Sequence, residues 1–439
     1  MLSLFFELVV IRWLSSEIRI FAYFKNIPLM ACLFGMGMGM ALSSSKKDWE
    51  KWFPYGLLVI TAIICFAVPL NLVHVSFLNP MEHYLPGDFI QKVAGAAPDD
   101  SLGYRLKMFL PGLAVLIVVF YLIVFTFVCI GQKIGRLLNE FEPLKSYTIN
   151  IVGSLVGIAL FTIISFLSWP PVAWILIGCI PAAWFYRKPT QIVSLVACVA
   201  LSYFMVDPKI IWSPYYRISV GESHLPAEPG HPGMLYGYEI NVNYDTIEGA
   251  YNNDPAVLAK LSESPRKLTA DCYDTPELAL GAKPRSVLVL AAGTGNDVAA
   301  ALRYGATDVD CVEIDPAIAE LGKKIHPEQP YSNPKVHIIV DDARAYLRRC
   351  KKKYDLVVFA YLDSHTAFSS MSSLRLDNYV YTTESFQDAA RLLKPDGVMS
   401  VTFYCMRWWQ LAHVYNSVQA GTGYTPIGVF SKMNNGPTL

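Results

Sequence analysis

Charge is what this sequence has least of. Only 16% of its 439 residues are charged, against about 25% in an average soluble chain. The 36 basic and 36 acidic residues cancel, so there is no surplus of Lys and Arg to meet a phosphate backbone, and nucleic acid drops out as a partner. The nine cysteines never stand in CxxC or Cys/His spacing, which argues against a zinc site or a disulfide framework. Five of them (Cys32, Cys65, Cys129, Cys179, Cys198) lie inside apolar runs and read as small buried hydrophobes. No basic segment precedes the first apolar stretch, which argues against a cleaved signal peptide.

What is present in quantity is hydrophobicity, at 53% of residues, and it is unevenly spread. Residues 1–206 carry long apolar runs, whereas residues 207–439 read like a soluble domain. The runs at 26–42, 54–73, 108–131 and 149–169 are long enough to span a bilayer, and those at 172–186 and 191–206 are short spans. Residues 1–14 resemble the remainder of a further span, interrupted by Glu7 and Arg12. The expectation is a transmembrane domain over residues 1–206 with about six or seven helices. Small residues in "GMGMGMALSSS" and "NIVGSLVG" suit close helix approach. No span after the first carries a charged pair of the kind pumps use, so this half reads as an anchor or lipid-facing platform.

If every run crosses, Lys46, Lys47, Lys51, Lys133, Arg136, Lys145, Arg187 and Lys188 share one side, and the acidic stretch "MEHYLPGDF" lies on the other. The positive-inside rule makes the basic side cytoplasmic, and run 191–206 would then deliver the remainder of the chain outside. A domain that needs an intracellular nucleotide-like ligand belongs inside. The expectation is therefore an integral protein of a bacterial inner membrane with a cytoplasmic soluble part.

Residues 207–265 alternate β-formers in "IIWSPYYRISV" and "YGYEINVNYDTIEGAY", with the Gly/Pro stretch "GESHLPAEPGHPG" between. They predict a small β module of two strands joined by a loop. From residue 266 strand and helix patterns alternate: "SVLVLA", "DVDCVEI", "PAIAELGKKI", "VHIIV", "ARAYLRRCKKK", "YDLVVFA", "SFQDAARLLK", "VMSVTFY". This succession predicts an α/β doubly wound, Rossmann-like domain over residues 266–439, with ligands at the carboxyl ends of its strands.

The first of those ends is "SVLVLAAGTGNDVAAAL". Gly293 and Gly295 let backbone pass close to a ligand, and Asn296 or Asp297 is placed to cap the next helix. Glu313 ends the second strand in "CVEIDP", where a carboxylate suits the two hydroxyls of a ribose. Asp342, in "VDDAR", ends the third, where it suits an adenine amino group, with the Ala343 N–H facing a ring nitrogen. Together they describe an adenosine-bearing ligand. NAD is disfavoured because Val298 breaks G-x-G-x-x-G. An S-adenosylmethionine-type ligand needs no phosphate cradle and fits better.

These motifs, with "HPEQPY", "DDARAYL", "YDLVVF", "LDS", "YVYTTESF", "LLKPDG" and "WSPYYRISV", resemble the spermidine/spermine synthase family of aminopropyltransferases. More closely, they resemble its bacterial membrane-bound branch with a multi-helix N-terminal domain. The resemblance covers roughly residues 212–430. It implies a methyltransferase-type fold, a decarboxylated S-adenosylmethionine donor, no metal, and transfer of the donor's propylamine arm to an amine. Glu313 would hold the ribose and Asp342 the adenine, and the turn Gly293–Thr294–Gly295 with Asp297 would lie beside the sulfonium.

The sequence also departs from the family. Thr294 stands where the glycine loop carries an aspartate that contacts the donor's amine, and Ala360 where the first aspartate of the fourth strand is expected. Asp363 keeps the second, which makes it the base candidate, with His365 in support. Glu248 is retained, but the Tyr-His-Glu of the family reads Tyr251-Asn252-Asn253. The segment "DSHTAFSSMSSLRLDNYVYT" is expected to form an acceptor-side lid, with Arg375, Asp377, Tyr379 and Tyr381 as contacts beside Glu248 and Tyr251. "CKKKYD" reads as a solvated helix end.

The leading expectation is a membrane-anchored aminopropyltransferase of polyamine biosynthesis acting on a small amine. The alternatives are a methyltransferase using intact S-adenosylmethionine on a membrane-associated acceptor, and a non-catalytic adenosyl-ligand sensor. A homodimer is an expected assembly. The abrupt start and the ending "SKMNNGPTL" lead to the expectation of a fragment, truncated at the C-terminus.

Overall fold

The structure is a computed structural model that describes residues 1–75, 102–225, 233–260, 273–281, 283–361, 379–403, 408–430 and 437–438. The chain divides into two compact units. One comprises residues 1–83, 101–219 and 242–245, the other residues 84–100, 220–241 and 246–439.

The helices of the first unit fall on the apolar runs: Leu2–Glu17, Asn26–Ala41, Phe53–Cys65, Leu102–Leu138, Pro143–Phe166, Pro171–Phe185 and Pro189–Phe204. Four of them carry proline in their first turn, where its missing N–H and fixed φ cost nothing. Among the described residues, two helices, Phe109–Leu138 and Pro143–Phe166, are long and apolar enough to cross a membrane by length and composition. In the run at 54–73 the α-helix ends at Cys65, short of Pro69. Its 13 residues rise about 20 Å, less than the roughly 30 Å of a bilayer core. The glycine stripe works at close range. A Cβ on Gly39 would meet Gln132 N at 2.7 Å, and one on Gly131 would meet Met36 O at 2.6 Å. The helices Asn26–Ala41 and Leu102–Leu138 thus pack backbone to backbone.

The first helix is unbroken from Leu2 to Glu17 and lies in the core of its unit, with Glu7 and Glu17 buried. Glu17 accepts from Arg217 Nε at 3.2 Å and from the Tyr244 hydroxyl at 2.9 Å, and the Arg217 guanidinium lies 4.0 Å from the Tyr244 ring centre.

The β module has four strands in the order β1-β2-β3-β4: Ile211–Trp212, Arg217–Leu225, Met234–Val242 and Asp245–Tyr251. The stretch read as a single strand is two. Asn243 and Tyr244 both take positive φ, 51° and 63°, the two-residue turn whose twist suits a tight hairpin.

The α/β domain is a five-stranded sheet in the order β7-β6-β5-β8-β9, with β5 Ser286–Leu290, β6 Asp308–Glu313, β7 Val336–Val340, β8 Tyr354–Phe359 and β9 Leu393–Val401. All four ladders are parallel. Every residue of β5 is buried, as a central strand covered on both faces requires. The order reverses beside β5: β6 and β7 build outward on one side, β8 and β9 on the other. The carboxyl ends of β5 and β8 therefore flank the crevice where such sheets bind ligands. β9 starts earlier than its "VMSVTFY" core, at Leu393, and its ladder with β8 shifts register between Tyr354 and Leu356.

Candidate active site

The site is built on the turn that follows β5. Ala291 and Gly293 both have φ of 54° and Gly295 has 110°, a left-handed path that suits glycine at the second and third of these positions. The Tyr331 hydroxyl donates to Gly293 O at 2.7 Å and lies 3.2 Å from Ala292 O, bracing the turn from below. A Cβ on Gly295 would meet Pro330 Cγ at 2.9 Å, so this position tolerates no side chain.

Gly293 and Glu313 are brought together. The Gly293 N–H donates to Glu313 Oε2 and the Asp315 N–H to Oε1, each at 2.9 Å. Burial raises the Glu313 carboxyl to about 7, against the pull of these amides. Each oxygen keeps lone-pair capacity for a further donor.

Glu248, from β4, reaches into the same turn. Its Oε1 accepts the Thr294 N–H and, at 2.7 Å, the Thr294 hydroxyl. A Cβ on Gly293 would overlap the Glu248 carboxyl group, so the acid lies directly on the turn. Burial pushes Glu248 up to about 8, with Glu313 and Asp297 adding to the rise. The Thr294 side chain is fully buried and is spent on this contact.

Asn296 does not cap its helix. The N-cap of Asn296–Arg303 is Gly295, and the Asn296 amide instead donates to Gly249 O. Its Oδ1 accepts the Tyr251 N–H at 3.1 Å and faces His326 Nε2 at 3.1 Å. His326 Nδ1 accepts the Glu328 N–H at 3.1 Å, which assigns the ring proton to Nε2. Burial and the Arg303 charge lower His326 to about 4, so it is a neutral structural link at physiological pH. Glu328 also accepts the Asn253 N–H at 2.8 Å and pairs with Arg303 at 2.7 Å. The Tyr251 ring stacks on Tyr236, centres 5.1 Å apart. The Tyr251-Asn252-Asn253 segment is therefore tied to the glycine turn through Asn296, a role that no motif in the sequence announced.

Asp297 sits in the first turn of this helix, and burial raises it to about 7. Next to it in charge is Glu277, 3% exposed. Its Oε2 has no hydrogen-bond partner among the described residues, and burial with the Asp297 charge holds it well above the usual range.

Asp342 is the N-cap of the helix Ala343–Arg349, its Oδ1 accepting the Ala345 N–H at 2.7 Å, and Ala343 is buried. Ala360 follows β8 and donates its N–H to Leu290 O at 3.1 Å. Tyr379 is exposed, while Tyr381 is buried with its hydroxyl 3.3 Å from Thr402 O. Asp363, His365, Arg375 and Asp377 lie outside the described residues. Lys352, read as part of a solvated helix end, folds onto Asp308 and Asp310 at 2.8 and 2.7 Å. Those two acids and His337 have the spacing of a metal ligand set, but the Lys352 ammonium already occupies the cation position beside both carboxylates.

Residues 274–433 match the family model described as "Spermine/spermidine synthase domain". The chain is 27% identical over 154 residues to the polyamine aminopropyltransferase of Thermoplasma volcanium, covering 33% of this chain and 53% of that one. It is 23% identical over 371 residues to polyamine aminopropyltransferase 1 of Streptomyces coelicolor, covering 76% and 66%. The spermidine synthase of Thermotoga maritima superposes with a TM-score of 0.34 at 18% identity, covering 48% of this chain and 63% of that one. The chain thus spans about half the length of the first of these relatives and less than two thirds of the others. The likeness to the spermine/spermidine synthase family thus rests on residues 274–433.

Proposed function

We propose that this chain is an aminopropyltransferase of polyamine biosynthesis that takes decarboxylated S-adenosylmethionine as donor and a small amine as acceptor. The observation that carries the reading is the Gly293–Glu313 pairing at the ends of β5 and β6: a carboxylate fixed by main-chain amides beside a turn without side chains. Glu313 takes the ribose hydroxyls and Asp342, with the Ala343 N–H, the adenine. The turn through Gly293, Thr294 and Gly295, with Asp297, borders the sulfonium.

The acceptor nitrogen attacks the carbon next to sulfur, the C–S bond breaks, and methylthioadenosine leaves with the bonding pair. Sulfonium is already activated, so the protein's contribution is alignment, which supplies up to about 7–11 kcal/mol in the best cases, and proton removal. An alkylamine with pKa roughly 10 is protonated at neutral pH and needs a base. Asp363, supported by His365, fills that role, with Tyr251, Asp377 and Tyr379 as the acceptor-binding residues.

The helical unit is the anchor, residues 1–206 forming a transmembrane domain ahead of a β module (207–265) and the donor-binding domain (266–439). In support, Leu33, Phe34, Val118, Tyr121, Ile180 and Val196 are all more than half exposed on apolar helices, a surface that suits lipid rather than water. The soluble part faces the cytoplasm, where its donor is made, and a homodimer is the assembly proposed. The test is incubation of the full chain with decarboxylated donor and a panel of amines. Methylthioadenosine and an aminopropylated amine should appear in equal amounts. Methylated product from intact S-adenosylmethionine would replace this reading with methyl transfer, and no product from either donor would leave a sensor.

A further inference from the structure

The glycine turn is surrounded by acids. Glu248 bonds to it from β4 and Glu313 from β6, and Asp297 lies in the first turn of the helix that follows. Glu277 feels the Asp297 charge, and its Oε2 is buried and unpartnered among the described residues. Arg303, whose charge acts on Asp297 and Glu277, is committed to Asp274 at 2.9 Å and Glu328 at 2.7 Å. The charges that act most on Glu248, those of Glu313 and Asp297, are negative as well. The buried Tyr331 hydroxyl feels the Glu248 charge as well. A buried set of like charges is tolerated when protons or a cationic ligand neutralise it.

Glu248 is the member placed to meet the tail of a ligand. Its Oε1 is fixed by two donors from Thr294, and no side chain separates the carboxyl group from Gly293. A ligand whose ribose lies on Glu313 must run its sulfur substituents past Gly293, because Glu313 and the Gly293 N–H are joined.

We infer that Glu248 is the specificity-determining residue for the donor, receiving the ammonium of an aminopropyl tail and rejecting a tail that keeps its carboxylate. The inference rests on the donor reading above. An ammonium brought to Glu248 gains a charge-assisted hydrogen bond. The zwitterionic tail of intact S-adenosylmethionine brings a carboxylate to the same acid, and like charges repel. Glu248 also holds its proton near neutral pH in the free protein, at about 8. An ammonium stabilises the carboxylate form, so binding the decarboxylated donor at pH 7 should release a proton. Methylthioadenosine, which has no ammonium, should release none.

The test is calorimetry on the full chain with three ligands: decarboxylated S-adenosylmethionine, intact S-adenosylmethionine and methylthioadenosine. Titrations in buffers of differing ionisation enthalpy count the protons. Glu248→Gln is the variant, since its amide oxygen still accepts both Thr294 donors and keeps the turn intact. The wild type should prefer the decarboxylated donor by about tenfold or more. Glu248→Gln should erase that preference and the proton release while leaving methylthioadenosine affinity within about twofold. If all three affinities fall together, Glu248 only shapes the turn and the inference fails. It fails equally if the preference survives in the variant. If the wild type binds none of the three, or prefers the intact donor, the donor reading itself fails and takes this inference with it.

Discussion

The two units of this chain distribute polarity in opposite senses. In the α/β domain all five residues of β5 are apolar or small and buried, and charged groups collect at the strand ends. In the helical unit the first helix buries Glu7 and Glu17, while the helices around it expose Leu33, Phe34, Val118 and Ile180. The hydrophobic effect drives the first pattern in water. The second is stable where the outer solvent is itself apolar and ionisable groups are confined to the interior. Composition alone averages these into a single low charge fraction.

That contrast is broken most directly by placing the same charge on each surface. Val118 and Leu278 are exposed to nearly the same degree, 61% and 63%, one in each unit. Val118→Lys should cost about 2.5–3.5 kcal/mol of insertion if its helix faces lipid. Leu278→Lys should stay within about 0.5 kcal/mol, as surface changes in water do. Membrane fractionation and alkaline extraction measure the first, thermal unfolding the second. Equal behaviour of the two variants would remove the lipid reading of the helical unit.

Within the α/β domain the next largest effect belongs to Glu313→Gln. A hydrogen bond to a charged group contributes about 1.5–3 kcal/mol, so adenosyl-ligand affinity should fall by about 10–100-fold. Calorimetry with methylthioadenosine isolates the nucleoside end. An unchanged affinity would separate Glu313 from the ribose and leave it a brace of the turn.

The free domain should also answer to pH with a definite sign. Glu313 is raised from 4.5 to about 7 by burial. Below pH 4.5 folded and unfolded chains both hold the proton. Between 4.5 and 7 the unfolded chain has lost it while the folded one keeps it, so stability falls as pH rises through this window. Asp355 sets the opposite edge: despite partial burial, the Ser286 and Arg285 amides and Lys394 hold it at about 2. Its contribution is present above the ordinary carboxylate range and lost as pH falls towards 2. Counting a single unit of the Glu313 shift gives about 1.4 kcal/mol. A melting temperature that rises from pH 5 to 8 without ligand would contradict the sign.

Much of this domain was legible because its signals are local. Five apolar runs of strand length, the first four each followed by a helix pattern, specify a parallel sheet, and Glu313 ends its strand where the alternation says it should. What escaped is long-range or depends on one backbone angle. The hairpin at Asn243–Tyr244 hides in a continuous β pattern because a tyrosine takes the left-handed conformation there. The helix that ends at Cys65 stops inside an apolar run, where hydropathy gives no boundary. Thr294 marked a missing acid, and only the fold shows Glu248, 46 residues earlier, delivered to the same spot.

The smallest effect tests how far the turn depends on such distant support. Tyr331 lies 38 residues beyond Gly293 in sequence, yet its hydroxyl donates to Gly293 O while its ring stays buried against Gly295. Tyr331→Phe keeps the ring and removes only the donor. A net loss of about 0.5–1.5 kcal/mol is expected for one such bond. Gly293 O then becomes a buried acceptor without its partner, which places the cost at the upper end of that range. Affinity for methylthioadenosine should fall by less than about tenfold, because Glu313 still fixes the Gly293 N–H. A loss as large as that of Glu313→Gln would mean that the turn's path is set from below by Tyr331, and that Glu313 merely follows it.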